Sequence, residues 1–107
     1  MSSSAAVIMA TAKDQEEAGK IAAHLIEQHL AACVQEIAIR SHFNWEGKTN
    51  CEPEVLLLVK TAADRVDQAV AAIKSVHSYD IPEIIVLPVV GGLPAYLGWI
   101  NAETRAT

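Results

Sequence analysis

The sequence predicts an α+β sandwich of order β-α-β-β-α-β, closed by a short C-terminal helix. Three observations carry that prediction. Apolar residues recur at helical spacing in two main stretches, 18–26 and 66–77. Four further stretches, at 5–12, 33–45, 55–59 and 83–90, have the composition of strands. The second and third of these follow each other across Glu46-Gly47-Lys48, with no helix between them, which predicts a hairpin.

The first strand runs from Ala5 to Ala12 around Val7-Ile8-Met9. Asp14 then suits a helix N-cap, and Glu17 at the third position completes a capping-box pattern. Ala18, Ile21, Ala22, Leu25 and Ile26 give that helix its apolar stripe, and His29 is placed in its last turn. Residues 33–45 switch to a period of two. Ile37, Ile39, Phe43 and Trp45 lie on one side; Glu36, Arg40, His42 and Asn44 lie on the other, as a half-exposed strand requires. Val55-Leu-Leu-Leu-Val59 is continuously apolar and too short for a typical helix, so it predicts a strand buried on both faces. Val66, Ala69, Val70, Ile73 and Val76 or His77 mark a second amphipathic helix. Glu83 to Val90 is the last strand, and Pro88 inside it predicts an edge. Gly91-Gly92 breaks the chain before a helix from about Pro94 to Thr104.

Two split βαβ units of this kind make a ferredoxin-like sandwich with an antiparallel sheet of order 4-1-3-2. Both long helices then cover one face. The central strands do not alternate, so the other face needs a cover of its own, and a second copy of the chain is the expected one.

Composition bounds the rest. The chain has 107 residues, which predicts one domain, 1–107, with one modest core. Hydrophobic residues make up 51%, and only two Trp, two Tyr and one Phe are aromatic, so Ala, Val, Ile and Leu must fill that core. The net charge of −5 argues against nucleic acid or an anionic membrane as partner. No apolar run approaches the roughly 20 residues of a membrane span. Met1-Ser-Ser-Ser carries no basic segment leading into an apolar one, so no signal peptide is expected. Cys33 and Cys51 form neither a CxxC pair nor a disulfide framework, which predicts reduced thiols in a cytoplasmic protein.

Two stretches, 43–61 and 77–88, set aromatic and ionisable residues beside apolar strands. Trp45, Glu46, Lys48, Glu54, Lys60, His77, Tyr79 and Glu83 all fall there, as expected of a concave polar site or a subunit seam at the sheet ends. The candidate cleft residues are Trp45, Lys60, Tyr79, Glu83 and Trp99, with His77 as the candidate metal ligand. Plainer readings stand beside these. Trp45 and Trp99 serve equally as packing anchors, Lys60 and Glu83 as an ion pair, and His77 as a cation at a helix C-terminus. Cys33 reads as a buried small hydrophobe and Cys51 as a more exposed thiol. His24, His29 and His42 read as surface residues.

The chain resembles the CutA family, the divalent-cation tolerance proteins. The resemblance rests on Leu30-Ala-Ala-Cys-Val34, Trp45-Glu-Gly-Lys48, Val59-Lys-Thr61, His77-Ser-Tyr-Asp-Ile-Pro-Glu83, Leu87-Pro88 and Tyr96-Leu-Gly-Trp99, and runs from about Val7 to Asn101. It implies a cytoplasmic homotrimer of ferredoxin-like subunits, similar in architecture to the PII signalling proteins, with hairpins reaching to neighbouring subunits. It also implies a role in tolerance to copper and other divalent cations. The family's proposed copper ligands are a Cys on strand 1 and a His pair after helix 2. Those positions are Ala10 and Val76-His77 here, so only His77 is retained. The implied function is therefore metal-ion homeostasis through weak Cu²⁺ binding. The alternative is a PII-like sensor holding a small ligand in intersubunit clefts. An enzyme is not expected: there is no Gly-rich phosphate loop, nucleophile elbow or HExxH.

Overall fold

A computed structural model describes residues 4–105. Met1–Ser3, on which the signal-peptide reading largely rests, lie outside the described residues, as do the last two.

The elements are β1 (Ala5–Ala12), α1 (Gln15–Glu27), β2 (Cys33–Trp45), β3 (Lys48–Ala62), α2 (Val66–Ser75), β4 (Ile84–Pro88) and α3 (Pro94–Glu103), with a 3₁₀ turn at Ala63–Arg65 leading into α2. All pairings are antiparallel and the sheet order is β2-β3-β1-β4, the expected 4-1-3-2 read from the other edge.

Helix α1 starts as the sequence implies. Asp14 accepts a hydrogen bond from the Glu17 amide at 2.9 Å, and Glu17 returns the favour one residue early, accepting from the Lys13 amide at 2.9 Å. Its C-terminus departs from expectation. His29 is not in the last turn but one residue beyond the cap, in the left-handed region with φ 54°. The His29 amide donates to Ile26 and the Leu30 amide to Leu25, the paired bonds of a Schellman ending. His29 stands where glycine is usual.

Ile8, Ala10, Ala12, Val55, Leu57 and Val59 face Ala18, Ile21, Leu25, Ala69 and Ile73 of the two long helices, and these side chains form the core. Alanines at 10, 18 and 69 are each fully buried and let the helix backbones approach the sheet closely.

The opposite face is different. Val7, Met9, Leu56 and Leu58 are half-buried, and Ile85 and Leu87 are exposed. Within one subunit, then, 55–59 is buried on one face only, because both long helices lie on the other. Helix α3 reaches the open face only at the Lys60 end, where Lys60 Nζ sits 5.8 Å from the centre of the Tyr96 ring.

Strand β3 is also longer than its apolar run. It begins at Lys48, directly after a two-residue turn in which Glu46 (φ 51°) and Gly47 (φ 77°) are both left-handed, the geometry of a type I′ hairpin. Because β1 pairs only with 55–62, residues 39–45 and 48–54 pair with each other alone. This two-stranded ribbon projects from the sheet and stretches the subunit to 48 × 26 × 21 Å. Pro53 is tolerated there because β3 has a neighbour on one side only. Strand β4 is shorter than expected, Ile84–Pro88 rather than 83–90.

Candidate functional site

The open sheet face, the root of the ribbon and the α2–β4 connection enclose a cavity of about 540 Å³. Alternation explains its walls. Ser41, Phe43 and Trp45 of β2 and Glu52 and Glu54 of β3 all point to the open side, with Thr11 of β1 at the base. Tyr79, Asp80, Ile81 and Glu83 of the connection form the remaining wall. Four carboxylates, the rings of Phe43, Trp45 and Tyr79 and the imidazole of His42 therefore share one cavity, and no lysine or arginine lines it.

The connection is held in place by a short chain of bonds rooted in buried groups. His77 lies over the sheet end with its side chain fully buried. Its Nε2 is 2.6 Å from the Thr11 carbonyl, and its Nδ1 is 3.0 Å from the Tyr79 amide. A carbonyl only accepts and an amide only donates, so Nε2 carries the hydrogen and Nδ1 the lone pair. Glu17, 7% exposed, completes the anchor by accepting from the Ser78 amide at 2.8 Å. Burial pushes the Glu17 carboxyl up, but the hydrogen bonds from Lys13 and Ser78 outweigh it and hold the group below the usual glutamate range. Tyr79, its ring 4.9 Å from that of His77, then donates its hydroxyl to Glu54 at 3.0 Å. Burial, and next the Glu54 carboxylate, push the Tyr79 hydroxyl up to about 12. It is thus a fixed donor, and it orients Glu54 in the cavity wall.

The residues singled out in the sequence fall into two groups within the subunit. Trp45, Tyr79 and Glu83 line the cavity, with His77 behind Tyr79. Lys60 and Trp99 gather instead around Tyr96, whose ring is 5.5 Å from that of Trp99. Lys60 pairs with Val7 and Thr11 with Leu56, so the two groups sit at opposite ends of the sheet; Lys60 lies six residue steps along β3 from Glu54, about 20 Å. Lys60 and Glu83 form no ion pair within the subunit; the ion pair among the described residues is Arg105–Asp64, since His77, 3.8 Å from Glu17, carries its lone pair on the facing nitrogen.

The placement of His77 argues against the metal role expected for it. Its one lone pair is spent on the Tyr79 amide. Ala10 is fully buried and brings no donor atom, and Val76 brings none either. The residues at the family's proposed copper positions do not fit a copper ion in this chain. Cys33, expected in the core, is only half-buried, because it lies on the open face opposite Lys60. Glu54 was expected near the sheet ends though not as a cleft residue, and Glu52 and Asp80 were not expected in the site. Alternation on β3 was the available signal for the first two; nothing local marks Asp80.

Comparison with known proteins decides the family. The family model described as CutA1 divalent ion tolerance protein matches residues 6–103. The chain belongs to that family. The divalent-cation tolerance protein CutA of Pectobacterium atrosepticum is 42% identical over 102 residues, covering 94% of this chain and 93% of that protein. The chloroplastic protein CutA of Arabidopsis thaliana is 36% identical over 92% of this chain, which spans 55% of the plant protein's length. Among solved structures, one from Archaeoglobus fulgidus, described as a periplasmic divalent cation tolerance protein, superimposes with a TM-score of 0.92 at 38% identity, covering 94% of this chain and 99% of that one. Members thus come from more than one compartment. Among the described residues no helix is long and apolar enough to cross a membrane.

Proposed function

We propose that this protein serves divalent-cation tolerance, copper included, as a cytoplasmic homotrimer that binds cations weakly in its carboxylate-lined cavity. The observation that carries the proposal is the sign of that cavity: Glu52, Glu54, Asp80 and Glu83 border it and no lysine or arginine offsets them. Among the described residues no three His, Cys, Asp or Glu side chains converge as a ready-made metal cage. The carboxylates therefore attract a hydrated cation rather than strip its water, and binding is micromolar or weaker. The role is binding, not catalysis. Trp45 and Tyr79 shape the cavity, and His77 positions the connection that bears Tyr79.

The trimer is supported by the uncovered face, where Val7, Met9, Leu56, Leu58, Ile85 and Leu87 leave an apolar surface that a monomer rarely exposes. The projecting ribbon adds weight, since an isolated two-stranded ribbon is marginal in water without a surface to pack on. Assembly brings the Lys60–Trp99 group of one subunit toward a neighbour's cavity, which is how the two groups come to share a cleft. The cytoplasmic placement rests on the two free thiols.

Calorimetric titration with Cu²⁺ and Mg²⁺ tests the cation reading. The expected result is weak binding that Glu54→Gln reduces several-fold without loss of thermal stability. Equal binding by wild type and Glu54→Gln would remove the cavity from the function.

A further inference from the structure

Cys51 and His42 are register partners on the ribbon, directly across from each other on the face opposite the carboxylate cavity. The Cys51 Sγ lies 3.7 Å from the His42 Nε2. Both side chains are exposed, and neither belongs to the core or to the chain of bonds that holds Tyr79. They border a second hollow of about 430 Å³, lined also by Phe43, Asn44, Thr49 and Asn50, with no lysine or arginine in its walls; His42 and Phe43 border the carboxylate cavity as well.

We infer that this pair is a divalent-metal site for a borderline cation of the Zn²⁺ class. The geometry carries the inference. With Zn–S near 2.3 Å and Zn–N near 2.05 Å, a tetrahedral ion holds its sulfur and nitrogen donors ~3.6 Å apart. The observed 3.7 Å agrees within the ~0.2 Å expected of a real site, with no movement of the backbone. Cross-strand pairing supplies the rigidity, because the two Cβ atoms are fixed by the ladder rather than by a loop. Thiolate and imidazole are also the donor pair such a cation prefers over carboxylate or water. The two remaining coordination positions open into the hollow and are filled by water, with the Asn44 side chain on the same face two residue pairs nearer the turn. Binding displaces the thiol proton to solvent as the metal–sulfur bond forms, and nothing is oxidised or reduced. The site extends the cation reading to a thiolate, a donor that the lining of the carboxylate cavity lacks. It also relocates the strong donors of this chain, since the strand-1 and helix-2 positions hold none that is free.

Co²⁺ is the probe, because a cobalt–thiolate bond gives a near-ultraviolet charge-transfer band that carboxylate binding does not. Titration of the full chain should develop that band and Zn²⁺ should displace it. Cys51→Ser should abolish it, and His42→Ala should weaken binding at least about tenfold, the scale of losing even a supporting partner of a metal ligand. Cys33→Ser and Glu54→Gln should leave it unchanged. Both tested side chains are exposed, so an unchanged circular dichroism spectrum is expected of every variant. No band at millimolar Co²⁺ would mean that the pair is a thiol–imidazole hydrogen bond only, and would overturn the inference. So would a band that survives Cys51→Ser, one that follows Cys33, or a His42→Ala affinity equal to wild type. Failure of the cavity reading appears in Glu54→Gln, and failure of this one in Cys51→Ser.

Discussion

Glu17 and Ser78 are 61 residues apart in sequence and joined by a 2.8 Å hydrogen bond from the Ser78 amide to the Glu17 carboxylate. The same carboxylate accepts from the Lys13 amide and lies 3.8 Å from His77 Nδ1. One residue at the start of α1 thus closes the helix end and anchors the connection that carries Tyr79 to the cavity.

Glu17 should make stability acid-sensitive. Its carboxyl is held below the usual glutamate range in the folded protein, so its contribution is complete above that range. It is lost as pH falls from the ordinary value through the lowered one. Glu17→Gln should cost about 1–3 kcal/mol near neutral pH and flatten that limb of the stability curve. Urea denaturation at a series of pH values measures both; an unchanged acid limb would show that Glu17 is not the group responsible.

Tyr79 should act at the other extreme. Its hydroxyl is raised to about 12, so its contribution is complete below the ordinary tyrosine range and is lost as pH rises through the raised value. Absorbance titration of tyrosinate should show a component near 12 that disappears in Tyr79→Phe. That variant should lose about 0.5–1.5 kcal/mol, the worth of one hydrogen bond to Glu54.

Leu57 and Leu58 should separate folding from assembly. Leu57 is fully buried under the helices, whereas Leu58 points to the open face and is half-buried. Leu57→Ala should cost about 2–5 kcal/mol whatever the protein concentration. Leu58→Glu should leave a folded subunit of 11.5 kDa by light scattering, where the wild type should give three times that mass if it assembles as proposed. Wild-type protein that stays monomeric at micromolar concentration would refute the covered face.

The two thiols should label at different rates. Cys51 is exposed on the ribbon, and Cys33 is half-buried on the open sheet face, which the proposed assembly would cover. In native protein Cys51 should react with a thiol reagent at least about tenfold faster, and the gap should narrow in Leu58→Glu. Equal rates in wild-type protein would contradict a covered Cys33.

The turn at 46–47 offers a gain in stability. Glu46 occupies a left-handed position that favours asparagine or glycine beside Gly47. Glu46→Asn should stabilise the ribbon by about 0.5–1 kcal/mol, read from thermal unfolding. A loss would mean that the Glu46 side chain has a partner in the assembled protein.

The order of elements, the sheet order, the N-cap at Asp14 and the core residues Ala18, Ile21, Leu25, Ala69 and Ile73 were legible in the sequence, because burial periodicity and capping act over a few residues; Ile26 and Val76, at the ends of the expected stripes, are instead exposed within the subunit. The full length of β3 was not. Lys48 to Glu54 is polar and includes Pro53, and its strand conformation comes from pairing with β2 rather than from its own apolar pattern. The same holds for His29, whose left-handed conformation is imposed by the Schellman bonds that end α1.

For the site, the sequence by itself determined which residue types stand near the sheet ends: Trp45, Glu54, Tyr79 and Glu83 follow from strand alternation and from the motif around Pro82. Only the tertiary structure decided what each can do. His77 reads as a free imidazole in one dimension, yet the Thr11 carbonyl and the Tyr79 amide occupy both its nitrogens. Lys60 and Tyr79 belong to neighbouring motifs, yet the register of β1 on β3 sets them at opposite ends of the sheet. Cys51 and His42 look unrelated at a separation of nine residues, yet the ribbon puts them face to face. Periodicity is local and survives in a string of letters; hydrogen-bond saturation and cross-strand distance depend on groups far apart in the chain, and only folding brings those groups together.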